Sequence, residues 1–114
     1  MTQLTSKHCG PCTGATPRIA GETLGKLSAE ISNWQVASDE KSLARRFEFA
    51  NYYETMAFVN AVAWIAHRED HHPDLDVGYN RCLVRYSTHA NGGLSENDFI
   101  CAAKVDALLD QGSR

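Results

Sequence analysis

Three of the chain's five histidines fall within one short region. Two lie in Asp70-His71-His72-Pro73-Asp74-Leu75 and one in Ser87-Thr88-His89, with a carboxylate following at Asp98. Imidazole has the unperturbed pKa nearest neutrality, so histidine both gives and accepts a proton there. Histidines on loops beside a carboxylate at a helix start suit acid–base work on a small molecule. Pro73 sets the geometry of the first pair, because the residue before a proline is pushed out of the helical region. A helix arriving from the N-terminal side is therefore expected to end near Asp70. His71 and His72 then sit on a corner, point different ways and take different tasks.

The residues alone leave other readings open. His71 and His72 are also suited to solvating a helix end, where positive charge is favoured, and His89 to a turn. An acidic residue in a helix's first turn, as at Asp98, is stabilised by the helix dipole alone. His71, His72, His89 and Asp98 would equally make a ligand set for a metal-dependent hydrolase. Cys9-Gly10-Pro11-Cys12 has the letters of a thioredoxin-type redox motif. That chemistry needs a strand before the motif and a helix just behind it, and neither pattern is present. A zinc site from His8, Cys9 and Cys12 lacks a fourth ligand nearby.

To position the histidines, 114 residues allow one domain with one modest core. A composition of 43% hydrophobic and 22% charged residues is that of an ordinary globular protein. A formal charge of −3 gives no basic face for nucleic acid. No apolar run approaches a membrane span, and Met1-Thr2-Gln3-Leu4-Thr5 lacks a signal-peptide core. A cytoplasmic location with reduced cysteines is the expectation.

Residues 1–18, rich in Gly, Pro, Thr and Ser, are expected as a flexible arm, and 19–111 as a single domain. Leu24, Leu27 and Ile31 recur at helical spacing, and Trp34-Gln35-Val36 begins a short strand. Leu43, Arg45, Phe47 and Phe49 alternate with Ala44, Arg46 and Glu48, giving a second strand antiparallel to the first. Asn51-Tyr52-Tyr53-Glu54 is a capping-box start to the longest helix. Its expected apolar stripe is Tyr52, Met56, Val59, Ala63 and Ala66, widened by Phe58, Val62 and Ile65. Two more strands follow, around Leu75–Tyr79 and Arg81–Ser87. Ser95 then caps a last helix with Asp98 at its third position, running to about Asp110. The order α-β-β-α-β-β-α predicts an α+β two-layer sandwich, a four-stranded antiparallel sheet with three helices on one face.

Four runs carry a resemblance: Asp70-His71-His72-Pro73-Asp74, Val77-Gly78-Tyr79-Asn80-Arg81, Ser87-Thr88-His89 and Gly93-Leu94-Ser95-Glu96-Asn97-Asp98. In order and spacing they resemble the pterin-4a-carbinolamine dehydratase family, bacterial type. Trp34, Phe47-Glu48-Phe49 and the early paired cysteines agree more loosely. The resemblance implies loss of water from a 4a-hydroxytetrahydropterin to give the quinonoid dihydropterin, with no metal or cofactor. It implies His71 and His89 as the principal acid–base pair, and His72 as the histidine that holds the pterin and shares proton transfer. Asp98 supports the site, Pro73 shapes the corner, and Asp70 and Leu75 contribute contacts. Leu75 stands where many members have tryptophan, and His67 where glutamate is frequent. The resemblance also implies a homodimer or homotetramer and, as a working companion, an aromatic amino acid hydroxylase. Its non-enzymatic alternative is a dimerisation, assembly or transcriptional coactivator module on the same fold. The assembly-type relatives lose the histidine set that this chain keeps.

Overall fold

The computed structural model describes residues 4–109. Four strands, β1 (Gln35–Val36), β2 (Leu43–Glu48), β3 (Asp74–Val77) and β4 (Arg81–Tyr86), form one antiparallel sheet in the order β1-β2-β4-β3. Three α-helices accompany them: α1 (Gly21–Glu30), α2 (Tyr52–Glu69) and α3 (Glu96–Leu109). The expected α+β order and the four-stranded antiparallel sheet are both present. The central β2–β4 pair brings together segments that α2 and β3 separate in sequence. His71 precedes β3 and Thr88-His89 follow β4, so the site residues flank the open end of the β3–β4 hairpin, with β4 central in the sheet.

The period of two in β2 has its expected consequence. Leu43 and Phe47 are buried while Arg46 and Glu48 face water. Cys82, Val84 and Tyr86 of β4 alternate in the same way and are fully buried on the helix side. Phe99, Ile100, Cys101, Ala102 and Val105 of α3 close the core against them. Arg45 reaches inward only because its guanidinium donates to Asp106 Oδ1 at 2.7 Å, which Trp34 Nε1 also meets at 2.8 Å.

The capping signal at α2 holds, since Asn51 Oδ1 accepts from Glu54 N at 2.9 Å. Glu54 reaches back to Ala50 N. The expected apolar stripe needs correction. Tyr52 and Ala63 are exposed, and the buried positions are Thr55, Phe58, Val62 and Glu69. Thr55 is buried because its hydroxyl bridges Asn51 O and Tyr79 O. A rotation of about one position along the helix separates the two faces, because polar residues whose groups find hydrogen-bond partners can occupy a core-facing row. At the other end, Asp70 adopts a left-handed conformation (φ 53°) that stops the helix, and His71 N bonds back to Ala66 O.

The segment expected as a flexible arm makes specific contacts from Leu4 onward. Leu4 is buried, Lys104 Nζ donates to Thr5 O, and Cys9 N donates to Glu69 Oε1 at 2.8 Å. Asn97 pairs with the backbone of Gly10 in both directions, at 3.1 and 2.7 Å. Asn91 Nδ2 meets Thr16 O and Pro17 O. Residues 1–3 and 110–114 lie outside the described residues.

Candidate active site

The site is built around a buried carboxylate. The side chain of Asp98 is fully enclosed, and both of its oxygens are hydrogen-bonded. Oδ1 lies 2.7 Å from His71 Nε2, and Oδ2 accepts from Thr88 Oγ1 at 2.7 Å and from Ser95 N at 2.9 Å. A carboxylate held by two other donors is an acceptor toward the imidazole, so Nε2 of His71 carries the proton and Nδ1 is left to exchange one. The bond to Ser95 N is the helix cap expected of Asp98, made together with its contact to the histidine. Charge-assisted bonds of this kind are roughly twice as strong as neutral ones.

The ring of His71 is also fixed across its face. It stacks on Tyr86 with centroids 5.9 Å apart and planes 7° from parallel. The hydroxyl of Tyr86 is buried, and burial, with Cys101 and Cys9 beside it, pushes its pKa above the usual phenol range. Tyr86 therefore serves as an uncharged platform.

His89 opens a short helical turn, His89–Asn91, and is exposed. It follows Thr88 directly, and Thr88 bonds the carboxylate that holds His71. His71 touches the buried carboxylate directly, whereas His89 is joined to it only through the chain, as the residue that follows Thr88. His72 is exposed, with Nδ1 3.4 Å from Pro73 O. Pro73 is half-buried, and Leu75 lies on β3 at 36% exposure. His67 stacks on Trp64 along the exposed part of α2. Beside His71 a cavity of about 450 Å³ is lined by Cys9 to Cys12, Glu69, Asp70, His71 and Asn97. His72 and His89 are not among its walls. Among the described residues, no three His, Cys, Asp or Glu side chains converge as metal ligands, so the ligand set of a metal-dependent hydrolase is not gathered.

Sequence reading did not single out Thr88, Ser95's hydroxyl, Tyr86 or Glu69 as parts of the site. Thr88 and Ser95 hydroxyls meet at 2.7 Å. For Thr88 the sequence offered only its place immediately before a loop histidine. Glu69 gave no signal, because it stands among His67, Arg68 and Asp70 at a polar helix end. Burial alone would raise its pKa, but Cys9 N–H, His8 and Lys104 overcome this and hold it below its ordinary value.

The chain is thus a small α+β sandwich that carries a corner histidine on a buried carboxylate. Residues 17–108 match the family model described as pterin 4 alpha carbinolamine dehydratase. A protein of Nitrosospira multiformis, provisionally named a pterin-4-alpha-carbinolamine dehydratase, is 58% identical over 109 residues, 96% of this chain and 95% of that one. A Xanthomonas campestris pv. campestris protein with the same provisional name is 56% identical over 112 residues, covering 98% and 95%. Among solved structures, a transcriptional coactivator/pterin dehydratase from Brucella melitensis superposes with a TM-score of 0.77 at 27% identity, covering 81% of this chain and 98% of that one. A pterin dehydratase-like protein identified as a RuBisCO assembly factor in the alpha-carboxysome gives 0.58 at 28% identity, covering 67% and 88%. The chain belongs to the pterin-4a-carbinolamine dehydratase family, whose named activity is that of a hydro-lyase. No helix among the described residues is long and apolar enough to cross a membrane.

Proposed function

We propose that the chain removes water from a 4a-hydroxytetrahydropterin to give the quinonoid dihydropterin by histidine acid–base catalysis. The C4a–O bond breaks, the departing hydroxyl takes a proton and leaves as water, and N5 loses its proton as the C4a–N5 double bond forms. His71, protonated at Nε2 toward Asp98, accepts the N5 proton at Nδ1. His89 supplies the proton to the hydroxyl, and His72 holds the pterin edge. Asp70 and Leu75 contribute contacts, and Pro73 holds the corner. Positioned proton transfer of this kind contributes about 10²–10⁴-fold.

One observation carries the reading: a single enclosed carboxylate holds His71 directly and reaches the residue before His89 through the Thr88 hydroxyl. The test is stopped-flow dehydration of a hydroxypterin generated in situ. His71→Ala and His89→Ala should each slow it about 10²-fold or more. Wild-type protein no faster than buffer would end the proposal. A pterin at the site, a homodimer or homotetramer, a cytoplasmic setting and work alongside an aromatic amino acid hydroxylase belong to the same reading. The coactivator and assembly roles named for the two solved structures rest on no particular contact in this chain.

A further inference from the structure

We propose that Cys9 and Cys101 form a reversible disulfide that fastens the N-terminal segment to α3 behind His71. Their sulfurs lie 3.5 Å apart although the residues are separated by 92 positions. Cys101 is fully buried on α3, while Cys9 is half-buried and lines the cavity beside His71. All four cysteines are free thiols in the structure. The neighbouring Cys12 is engaged elsewhere, its sulfur 3.7 Å from Ser95 Oγ and 3.0 Å from Asn97 Nδ2. The pair that the fold has brought together is therefore Cys9–Cys101, and not the two cysteines of the Cys9-Gly10-Pro11-Cys12 run.

The co-reactant is a low-molecular-weight disulfide, reaching Cys9 through the cavity. Cys9 thiolate attacks one sulfur, the reagent's S–S bond breaks, and one small thiolate leaves and takes up a proton. Cys101 then loses its proton to solvent, attacks Cys9 Sγ and displaces the second small thiolate, which is protonated in turn. Two protein thiols and one small disulfide become one protein disulfide and two small thiols. The chain is oxidised by two electrons and the reagent is reduced by two.

The surroundings decide how this disulfide behaves. The hydrogen bond with Cys101, burial, and the neighbouring charges of Cys101 and Glu69 push the Cys9 thiol above its ordinary range. Few thiolates are then present at neutral pH, so formation is slow and accelerates with pH. The same penalty means that the reduced pair gains nothing from ionising, and the disulfide once formed resists reduction. Cys101 Sγ also lies 4.0 Å from His71 O, which places the link directly behind the corner. The proposal stands on the thiols alone and does not depend on the dehydratase reading.

The experiment treats the full chain with oxidised glutathione, blocks free thiols with an alkylating agent, and reads intact mass and the cross-linked peptide. Wild type and Cys12→Ser should lose two hydrogens and yield a Cys9–Cys101 peptide, with Cys9→Ser yielding none. Because Cys101 is fully enclosed, Cys9→Ser carries the comparison, with circular dichroism verifying its fold. The oxidised wild type should unfold several degrees higher than oxidised Cys9→Ser, since the link closes a long loop. A Cys9–Cys12 peptide, a persistent glutathione adduct on Cys9, or unmodified mass at pH about 8.5 would each overturn the proposal.

Discussion

His71 Nε2 lies 2.7 Å from Asp98 Oδ1, joining a partly exposed ring to a carboxylate with no exposure of its own. The corner that presents His71 and the helix that presents Asp98 are 27 residues apart in sequence. An enclosed carboxylate is costly unless it is hydrogen-bonded, and here Thr88 and Ser95 serve Oδ2 while His71 serves Oδ1. Orientation of the imidazole and integrity of the α3 start therefore depend on the same three groups.

Replacing Asp98 with Asn should separate the two roles. The amide oxygen still accepts from Ser95 N, but an amide N–H turned toward His71 favours the opposite tautomer and places the ring proton on Nδ1. The dehydration rate should fall about 10²-fold or more, with KM changed much less and the protein still folded. Asp98→Ala should cost about 2–4 kcal/mol in urea unfolding, because it strands Thr88, Ser95 and His71 together. A rate for Asp98→Asn within twofold of wild type would remove the carboxylate from the mechanism.

Thr88→Val keeps the shape of the side chain and deletes the hydroxyl that joins Asp98 Oδ2 to Ser95 Oγ. It should destabilise by about 1–3 kcal/mol, the cost of leaving buried polar groups unpaired. Thr88→Ser should recover most of this. If the hydroxyl positions His71 through Asp98, Thr88→Val also lowers kcat more than it raises KM, a split that simple loss of stability does not produce.

Glu69 gives a pH dependence. Its carboxyl is held below its ordinary value in the folded chain, so the unfolded chain binds its proton more readily. The resulting stabilisation is present above the unfolded pKa and is lost as pH falls through the folded one. Urea midpoints measured from about pH 6 down to about pH 3 should decline less steeply in Glu69→Gln than in wild type. The variant should also loosen the Cys9 backbone bond, read as faster amide hydrogen exchange over residues 8–10.

How much of this was legible in the sequence depended on whether the cause was local. Pro73 and the helix-end signals located the His71 corner, and the Asn51 and Ser95 caps located two helix starts, because backbone sterics and capping act over a few residues. The alternation in β2 and β4 fixed which side chains face the core. The α2 stripe was misjudged because Thr55 and Glu69 are polar residues whose burial is paid by partners on other elements. The N-terminal segment offered no period, and its contacts with Glu69 and Asn97 join residues 60 and 87 positions apart. Thr88 was a neighbour of a noticed histidine, but its role exists only once α3 brings Asp98 against it.

β3 ends the sheet, and its side chains predict association. Leu75 pairs with Val84 and Val77 with Cys82, so both apolar residues face the helix side of the sheet. Their partners on β4 are fully buried, yet Leu75 and Val77 are 36% and 40% exposed because no helix covers the edge. An uncovered edge strand with apolar residues on one face is a template for another strand, and a second copy of this chain in the expected homodimer supplies one. Val77→Lys should shift the protein toward monomer in light scattering at micromolar concentration, since the new charge would be buried without a partner. Asp76→Lys, on the opposite face of the same strand, controls for charge alone and should leave the assembly in place. A wild-type protein that runs as a monomer at all concentrations would show that β3 is a free edge.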